Sequence, residues 1–454
     1  MNATKVLLQI GILSLALFAA DVLAEVSAAE AKHLGANLTP MGAERAGNAD
    51  GSIPPWTPMA KTAAPVDDRG FLGNPYANEK PLFVITAQNV EQYKARLTPG
   101  QMALFKRYPD SYRMPVYTSH RGATVPEEVF AAIRRNATQT TLVSDGNGLQ
   151  DFSSAVPFPL PHNGLEVIWN HITRYRGGSI KRSIIQAMPQ QNGSFSPVSL
   201  QEQLVFRDRM KDFDPANPGN VLFYFKQEVT APARLAGSVL LVHETLDQVA
   251  EPREAWLYNA GQRRVRRAPQ AAYDAPGTAA DGLRTSDNLD MFNGAPDRYD
   301  WQLVGKQELY IPENSYALDS PSLKYADILQ AGHINQDLAR YELRRVWHVV
   351  ATLKPGQRHV YAKRDFYFDE DTWQAAIIDH YDGRGQLWRV AEAHAENYYN
   401  NQVPWYAFEV LYDLQAGRYV ALGLKNEEAR GYQFGVPAST SEFTPAALRQ
   451  EGVR

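Results

Sequence analysis

The chain has 454 residues, 44% of them hydrophobic and 21% charged, with a formal net charge of −4. That composition is globular and allows one large domain or two modest ones; its near-neutral balance argues against nucleic acid as the main partner, because phosphate binding wants a basic face. Cysteine is absent, which excludes disulfides, thiolate metal sites and a lipid-modified N-terminal cysteine.

Residues 1–24 read as a cleavable signal peptide. Lys5 supplies the positive start, Val6 to Ala20 is apolar apart from Gln9 and Ser14, and Val22-Leu23-Ala24 suits cleavage after Ala24. The apolar run falls short of the ~20 residues a membrane span needs. The expectation is an exported protein, in the periplasm of a Gram-negative cell, and not a lipoprotein. Glu25 to Leu34 then reads as a short helix with a capping box from Ser27 to Glu30 and a stop at Gly35. Residues 35–81 are rich in Pro and Gly and predict an extended segment lying across a surface, with Trp56 as its anchor.

Asn89 to Gln92 and Thr98-Pro99-Gly100-Gln101 carry helix-start patterns, and Thr124-Val125-Pro126-Glu127 opens a helix from Glu127 to Arg135. Phe130 and Ile133 share one face of it, with Arg134 and Arg135 turned away. Gly164 to Tyr175 predicts a further helix, stopped by Gly177-Gly178. From about residue 178 the period switches to two. Strands are predicted over 180–187, 221–230, 235–244, 253–259, 262–268, 299–308, 341–352, 358–368, 372–381, 386–394, 405–412 and 418–424. Short links between them predict an antiparallel meander. Residues 269–298 form the longest irregular stretch, a candidate gate. The expected organisation is a signal peptide (1–24), an extended segment with helices that pack on the sheet (25–177), and the sheet itself (178–454), the last two forming one domain.

Catalytic patterns are weak. The 10 histidines are scattered without helical i, i+4 spacing, so neither a metal nor any cofactor is expected. Asp369-Glu370-Asp371 resembles part of a calcium loop but lacks its Gly and closing Glu, and reads as a solvated turn. There is no Gly-x-Ser-x-Gly elbow, and Gly146-Asn147-Gly148 reads as a turn. No catalytic residue is assigned.

Aromatic residues dominate the strands instead: 23 Tyr, 18 Phe and 8 Trp. Phe223 and Phe225 share a face, as do Trp256 and Tyr258, and Phe366 and Phe368. Two readings follow. Helices cover this apolar face completely and it is core, or cover is incomplete and a lipid-sized groove remains. In the second reading these six residues are apolar ligand contacts. Arg264 and Arg266, on the hairpin strand beside Trp256, are then candidates for an anionic headgroup, or else a solvated basic edge. Asn170 and His171 are further headgroup candidates, or simply partners for loop backbone groups.

Several runs resemble a known superfamily. Trp256-Leu257-Tyr258, then Arg263 to Arg267, then Asp290-Met291-Phe292-Asn293-Gly294 resemble the outer-membrane lipoprotein-sorting superfamily of LolA and LolB. So do Arg364 to Asp369, Trp373 to Tyr381 and Asp382-Gly383-Arg384-Gly385-Gln386-Leu387. Leu38 to Glu44, Phe158 to Pro161, Gly164 to His171 and Arg174 to Gly177 resemble the family called domain of unknown function 1329 (DUF1329). The resemblance implies an α+β fold: a strongly curved antiparallel sheet, an incomplete barrel, covered by helices. It also implies an apolar cavity, and work beside outer-membrane β-barrel proteins and RND-type exporters. The chain is longer than small LolA-type carriers and lacks the cysteine of LolB, so a lipid or hydrophobe other than a lipoprotein is equally open as cargo. The reading is a periplasmic carrier or accessory protein. Its rivals are a non-catalytic adaptor for a barrel or exporter, and a hydrolase using carboxylates such as Asp379 and Asp382.

Overall fold

The computed structural model describes residues 26–451, so the predicted signal peptide lies outside it. The chain begins with α1 (Ala28–Ala31), β1 (Phe83–Ile85), α2 (Pro99–Arg107), β2 (Met114–Tyr117), α3 (Glu127–Gln139), the small hairpin β3 (Thr141–Val143) and β4 (Gly148–Gln150), and α4 (Gly164–Thr173). Next come β5 (Ser179–Ala187), β6 (Val198–Phe206), β7 (Val221–Ala231), β8 (Val239–Thr245), β9 (Glu254–Asn259) and β10 (Arg264–Arg267). After a long connection follow β11 (Tyr299–Pro312), α5 (Tyr325–Ile328), β12 (Tyr341–Leu353), β13 (Lys363–Asp369), β14 (Ala375–Tyr381), β15 (Leu387–Tyr398), β16 (Val403–Asp413) and β17 (Arg418–Leu424). The short β18 (Gln433–Phe434) and α6 (Pro445–Glu451) end the described chain.

All strands but β3 and β4 belong to one mixed, mostly antiparallel sheet that does not close. Two meanders, β5 to β10 and β11 to β17, are joined where β17 pairs with β5. That seam differs from a simple sequential meander, because it pairs strands far apart in the chain. β1 and β2 join beside the start of β12, with β2 parallel to it.

Local chemistry explains the elements that position the interior. Thr98 and Gln101 complete a reciprocal capping box, and Pro99 opens α2 where no amide partner is needed. The Asp379 carboxylate accepts from the Gly100 amide at 2.9 Å and ties this helix to β14. The strand at β6 was not anticipated from sequence. Its inward positions are Val198, Leu200, Glu202, Leu204 and Phe206, and the acidic Glu202 interrupts an otherwise apolar period.

The two meanders are covered differently. β16 is buried along its whole length, whereas β7 alternates buried with half-buried positions. The inner face of β12 to β16 packs on α4 through Ile168, Trp169 and Ile172, which share one core with Phe366, Phe368 and Trp373. Its outer face packs on α2, β1, β2 and the 313–340 segment. The outer face of β6 to β9 is covered by the C-terminal elements, where Val239, Leu241 and Tyr258 meet Phe443 and Leu448.

The Asp369-Glu370-Asp371 turn is not solvated, contrary to its sequence reading. All three residues are buried beneath the N-terminal strap. Arg121 grips Asp371 with bonds of 2.9 and 2.7 Å, and also reaches the Glu44, Ala46 and Pro54 carbonyls of the strap. Arg344, Arg345 and Lys306 supply further counter-charges. Three segments distant in sequence, the strap, Arg121 and the Arg344-Arg345 pair, make burial of this acidic turn tolerable. Trp56 anchors the strap as expected, its indole donating to the Ala123 carbonyl at 2.8 Å.

Candidate functional site

A cavity of about 350 Å³ lies between the inner face of β5 to β9 and the 268–293 connection. Strand register builds its floor in two rows. One row, Ile180, Leu204, Phe225, Val242 and Ala255, is apolar throughout. The other begins polar with Arg182, Glu202 and Gln227 and becomes apolar at Leu240 and Leu257. Leu257 is a wall residue that is also 38% exposed, so it marks the mouth, beside the β9–β10 edge. Trp405 and Tyr406 of β16 close the polar end.

The 268–293 connection is a packed lid rather than a loose surface loop; Leu283, Met291 and Phe292 are buried in the core. Arg253 clamps it to the sheet. That guanidinium pairs with Glu244 and donates to the lid carbonyls of Ala271, at 2.9 Å, and Asn293. Gln186 of β5 holds a second point, donating to the Thr278 and Ala279 carbonyls at 3.0 and 2.7 Å.

Charges are concentrated at the polar end. Arg182 pairs with Glu202 at 2.6 Å, and Gln227 donates to the same carboxylate at 2.6 Å. The Arg182 guanidinium lies 4.6 Å from the Trp405 ring centroid. Asp290 of the lid receives both Arg174, at 2.6 Å, and Arg176. Burial pushes the Asp290 carboxyl upward, but Arg174 and Arg176 overcome this and hold it below the usual carboxylate range. Burial beside Asp290 pushes Glu409 up to about 8. Its carboxyl accepts from the Met291 amide at 2.6 Å.

The residues singled out from sequence separate into groups. Phe223 and Phe225 line the cavity. Phe366 and Phe368 are stacked 5.6 Å apart in the filled core under α4 and do not line it. Trp256 and Tyr258 point to the opposite face, toward the C-terminal helix, because Leu257 and Ala255 take the inward positions of β9. Arg264 and Arg266 are exposed on the edge strand β10. Arg266 pairs with Leu257 in register, which places it outside the mouth rather than in the cavity. Asn170 holds the Phe158 backbone at both ends, with bonds of 2.8 and 2.7 Å. His171 accepts from the Ala375 amide at 3.1 Å, and its other nitrogen donates to the Asp290 carbonyl at 3.0 Å. Burial, with Arg174 nearby, pushes its pKa down to about 3, so the ring is neutral and structural.

Sequence reasoning missed Arg182, Glu202, Gln227 and Arg284. The first three carried one usable signal, in that each is a polar residue on the inward parity of its strand. Asp379 and Asp382 do not converge. Asp379 is buried against α2, and Asp382 bonds within its own exposed hairpin turn, to Arg384 and Gln386. Among the described residues no helix is long and apolar enough to cross a membrane.

Comparison with known proteins supplies the family. The model of the family described as protein of unknown function DUF1329 matches residues 84–449. An uncharacterized protein of Pseudomonas aeruginosa is 70% identical over 455 residues, covering 100% of both chains. Among solved structures, a domain described as an outer membrane lipoprotein-sorting protein, from Vibrio parahaemolyticus, aligns at 13% identity with a TM-score of 0.43. It covers 63% of this chain and 98% of that one. A DUF1329 family protein from Desulfovibrio piger aligns at 14% identity with a TM-score of 0.41, covering 60% of this chain and 92% of that one.

Proposed function

The chain belongs to the DUF1329 family, and from that premise and the enclosed cavity we propose that it is a periplasmic carrier of a lipid or other hydrophobic ligand. The observation that carries this reading is the empty space itself. The inner face of β5 to β9, apolar along most of its floor, leaves about 350 Å³ unfilled under the lid, whereas the space on the inner face of β15 to β17 is about 10 Å³. Interiors are normally packed to crystal density with few voids larger than a water. A void of about 350 Å³ falls within the ~300–1,000 Å³ range of small-molecule sites.

Capture is then an equilibrium process. Each buried CH₂ of an acyl chain contributes about 0.8 kcal/mol, so a short tail supplies micromolar affinity once ordering costs are subtracted. In this reading the cargo moves toward the outer membrane, and a barrel protein or RND-type exporter is a candidate partner. The test is native mass spectrometry and lipid extraction of the protein purified from periplasm, with titration of a fluorescent fatty acid. A copurifying hydrophobe or saturable binding supports carriage. If neither is found, the carrier reading fails.

A further inference from the structure

The cavity wall holds one guanidinium that forms no ion pair among the described residues. It belongs to Arg284, which is 5% exposed and lines the cavity. Its Nε donates to Gln186 Oε1 at 3.0 Å, which aims the rest of the fork. Gly277 lies against that fork; a Cβ there would fall 2.7 Å from Nη1. The other three guanidinium groups of the wall each have a carboxylate: Arg176 has Asp290, Arg182 has Glu202 and Arg253 has Glu244. Asp290 already serves Arg174 as well. Two carboxyls act on Arg284 from a distance: Glu409, which burial keeps largely protonated near neutral pH, and Glu202, which is already paired with Arg182 and Gln227. A buried charge left without a counter-charge is costly, and proteins seldom keep one without use.

A second unmatched group lies in the same wall. Tyr406 lines the cavity and is fully buried, and its hydroxyl has no hydrogen-bond partner. Burial raises its pKa, so the hydroxyl stays a donor. Donors left over at the polar end, beside an apolar floor that runs to the mouth, fit one kind of molecule.

We propose that Arg284 and Tyr406 form an anion site, and that the ligand is a single-chain anionic amphiphile held head-inward. Its head is a compact carboxylate or phosphate monoester, and its tail lies along Phe225, Val242 and Leu240 toward the mouth at Leu257. This rests on the carrier reading and reverses the polarity that the hairpin cations Arg264 and Arg266 implied. The cavity volume of about 350 Å³ lies near the lower end of the small-molecule range, which suits one chain and not several.

The experiment titrates the full protein with dodecanoate, dodecyl phosphate and dodecanol. The expected result is that at least one anion binds about tenfold or more tightly than dodecanol, as a charge-assisted bond in a desolvated site implies. The better of the two anions identifies the head. Arg284→Met should close that gap while leaving dodecanol affinity and the melting temperature unchanged or higher. Tyr406→Phe should narrow the gap a few-fold, and the double variant Arg264→Ala/Arg266→Ala should leave it intact. Equal binding of anion and alcohol, or a gap that survives Arg284→Met, overturns the anion site while carriage stands. Loss of the fold in Arg284→Met also counts against it, because a cation without a protein counter-charge should be dispensable. If none of the three probes binds, the carrier reading itself has failed.

Discussion

The two halves of this sheet are made from the same kinds of strand and end up in opposite states. In the half running from β12 to β17, both faces are covered, Trp169, Trp373, Phe366 and Phe368 fill the interior under α4, and a space of about 10 Å³ is left beside Met291 and Leu411. In the half running from β5 to β9, one inner face is left to a lid that touches it at its rim and encloses a cavity. Aromatic content does not separate them. What differs is the surface laid on top: α4 and the lid residues Met291 and Phe292 bring apolar side chains to the filled half, whereas over β5 to β9 the lid sets Arg284, Ser286, Asp290 and Asn293 among smaller apolar groups such as Ala271 and Pro276. A helix can dock as a ridge across several strands, while a lid tied by backbone carbonyls must stand off by the length of the side chains that hold it.

Truncation should show the largest difference between the halves. Phe368→Ala removes a fully buried ring from the filled core and should cost about 3–5 kcal/mol, read as a loss of melting temperature. Phe225→Ala removes a ring whose one side already faces the cavity. It should cost clearly less in stability and weaken ligand binding, because a void beside a void creates fewer new lost contacts. Equal costs at the two positions would mean the cavity is not empty space in solution.

Addition should give the converse, at smaller size. Leu240→Trp places extra volume in the cavity, and should leave stability within about 1 kcal/mol of the parent while abolishing binding. Ala393→Leu adds volume to a site with no exposure in the filled core, and should cost about 1–3 kcal/mol through strain. Thermal melts with and without a fluorescent fatty acid separate the two outcomes.

Much of the filled half was legible because its signals are local. Thr98-Pro99-Gly100-Gln101 announces α2 by itself, and the strand predicted over 341–352 matches β12 without any knowledge of its partners. The open half depends on distant pairings. Arg182, Glu202 and Gln227 each look like an interruption of a strand, and satisfy one another only when three strands are in register. The hairpin strand β9 was recognised but its polarity was not. Both of its faces are apolar, and the choice is made by Phe443 and Leu448 almost two hundred residues later, which take Tyr258 and leave Leu257 for the cavity. Arg284 sits in irregular backbone with no period to read, and nothing in sequence distinguishes a buried loop arginine from a solvated one. The same holds for Asp369-Glu370-Asp371, a turn composition that is buried here only because a remote strap and three arginines cover it.

Titration offers the finest distinction between the halves. Glu409 lies at the boundary on β16, facing Asp290 and Arg284 from the lid and Arg182 from β5. Burial, with Asp290 adding to it, moves its pKa from the ordinary 4.5 up to about 8. The folded state therefore holds a proton between those values that the unfolded chain has released. Its contribution to stability is fully present below about pH 4.5 and is lost as pH rises to about 8, at up to about 1.4 kcal/mol per unit. Glu392, in the filled half, is pushed up to about 7 by burial and bonded to Tyr341 at 3.0 Å, so it bends the stability profile in the same direction. Ligand affinity tells them apart. Above pH 8 an ionised Glu409 becomes a counter-charge for Arg284 and competes with the anionic head, so affinity for dodecanoate should fall a few-fold between pH 7 and 9. Glu409→Gln should flatten that fall, and Glu392→Gln should leave it in place while flattening part of the stability profile alone. A fall that follows Glu392, or one that dodecanol shares, would place the titrating group outside the cavity and dissolve the distinction between the two halves.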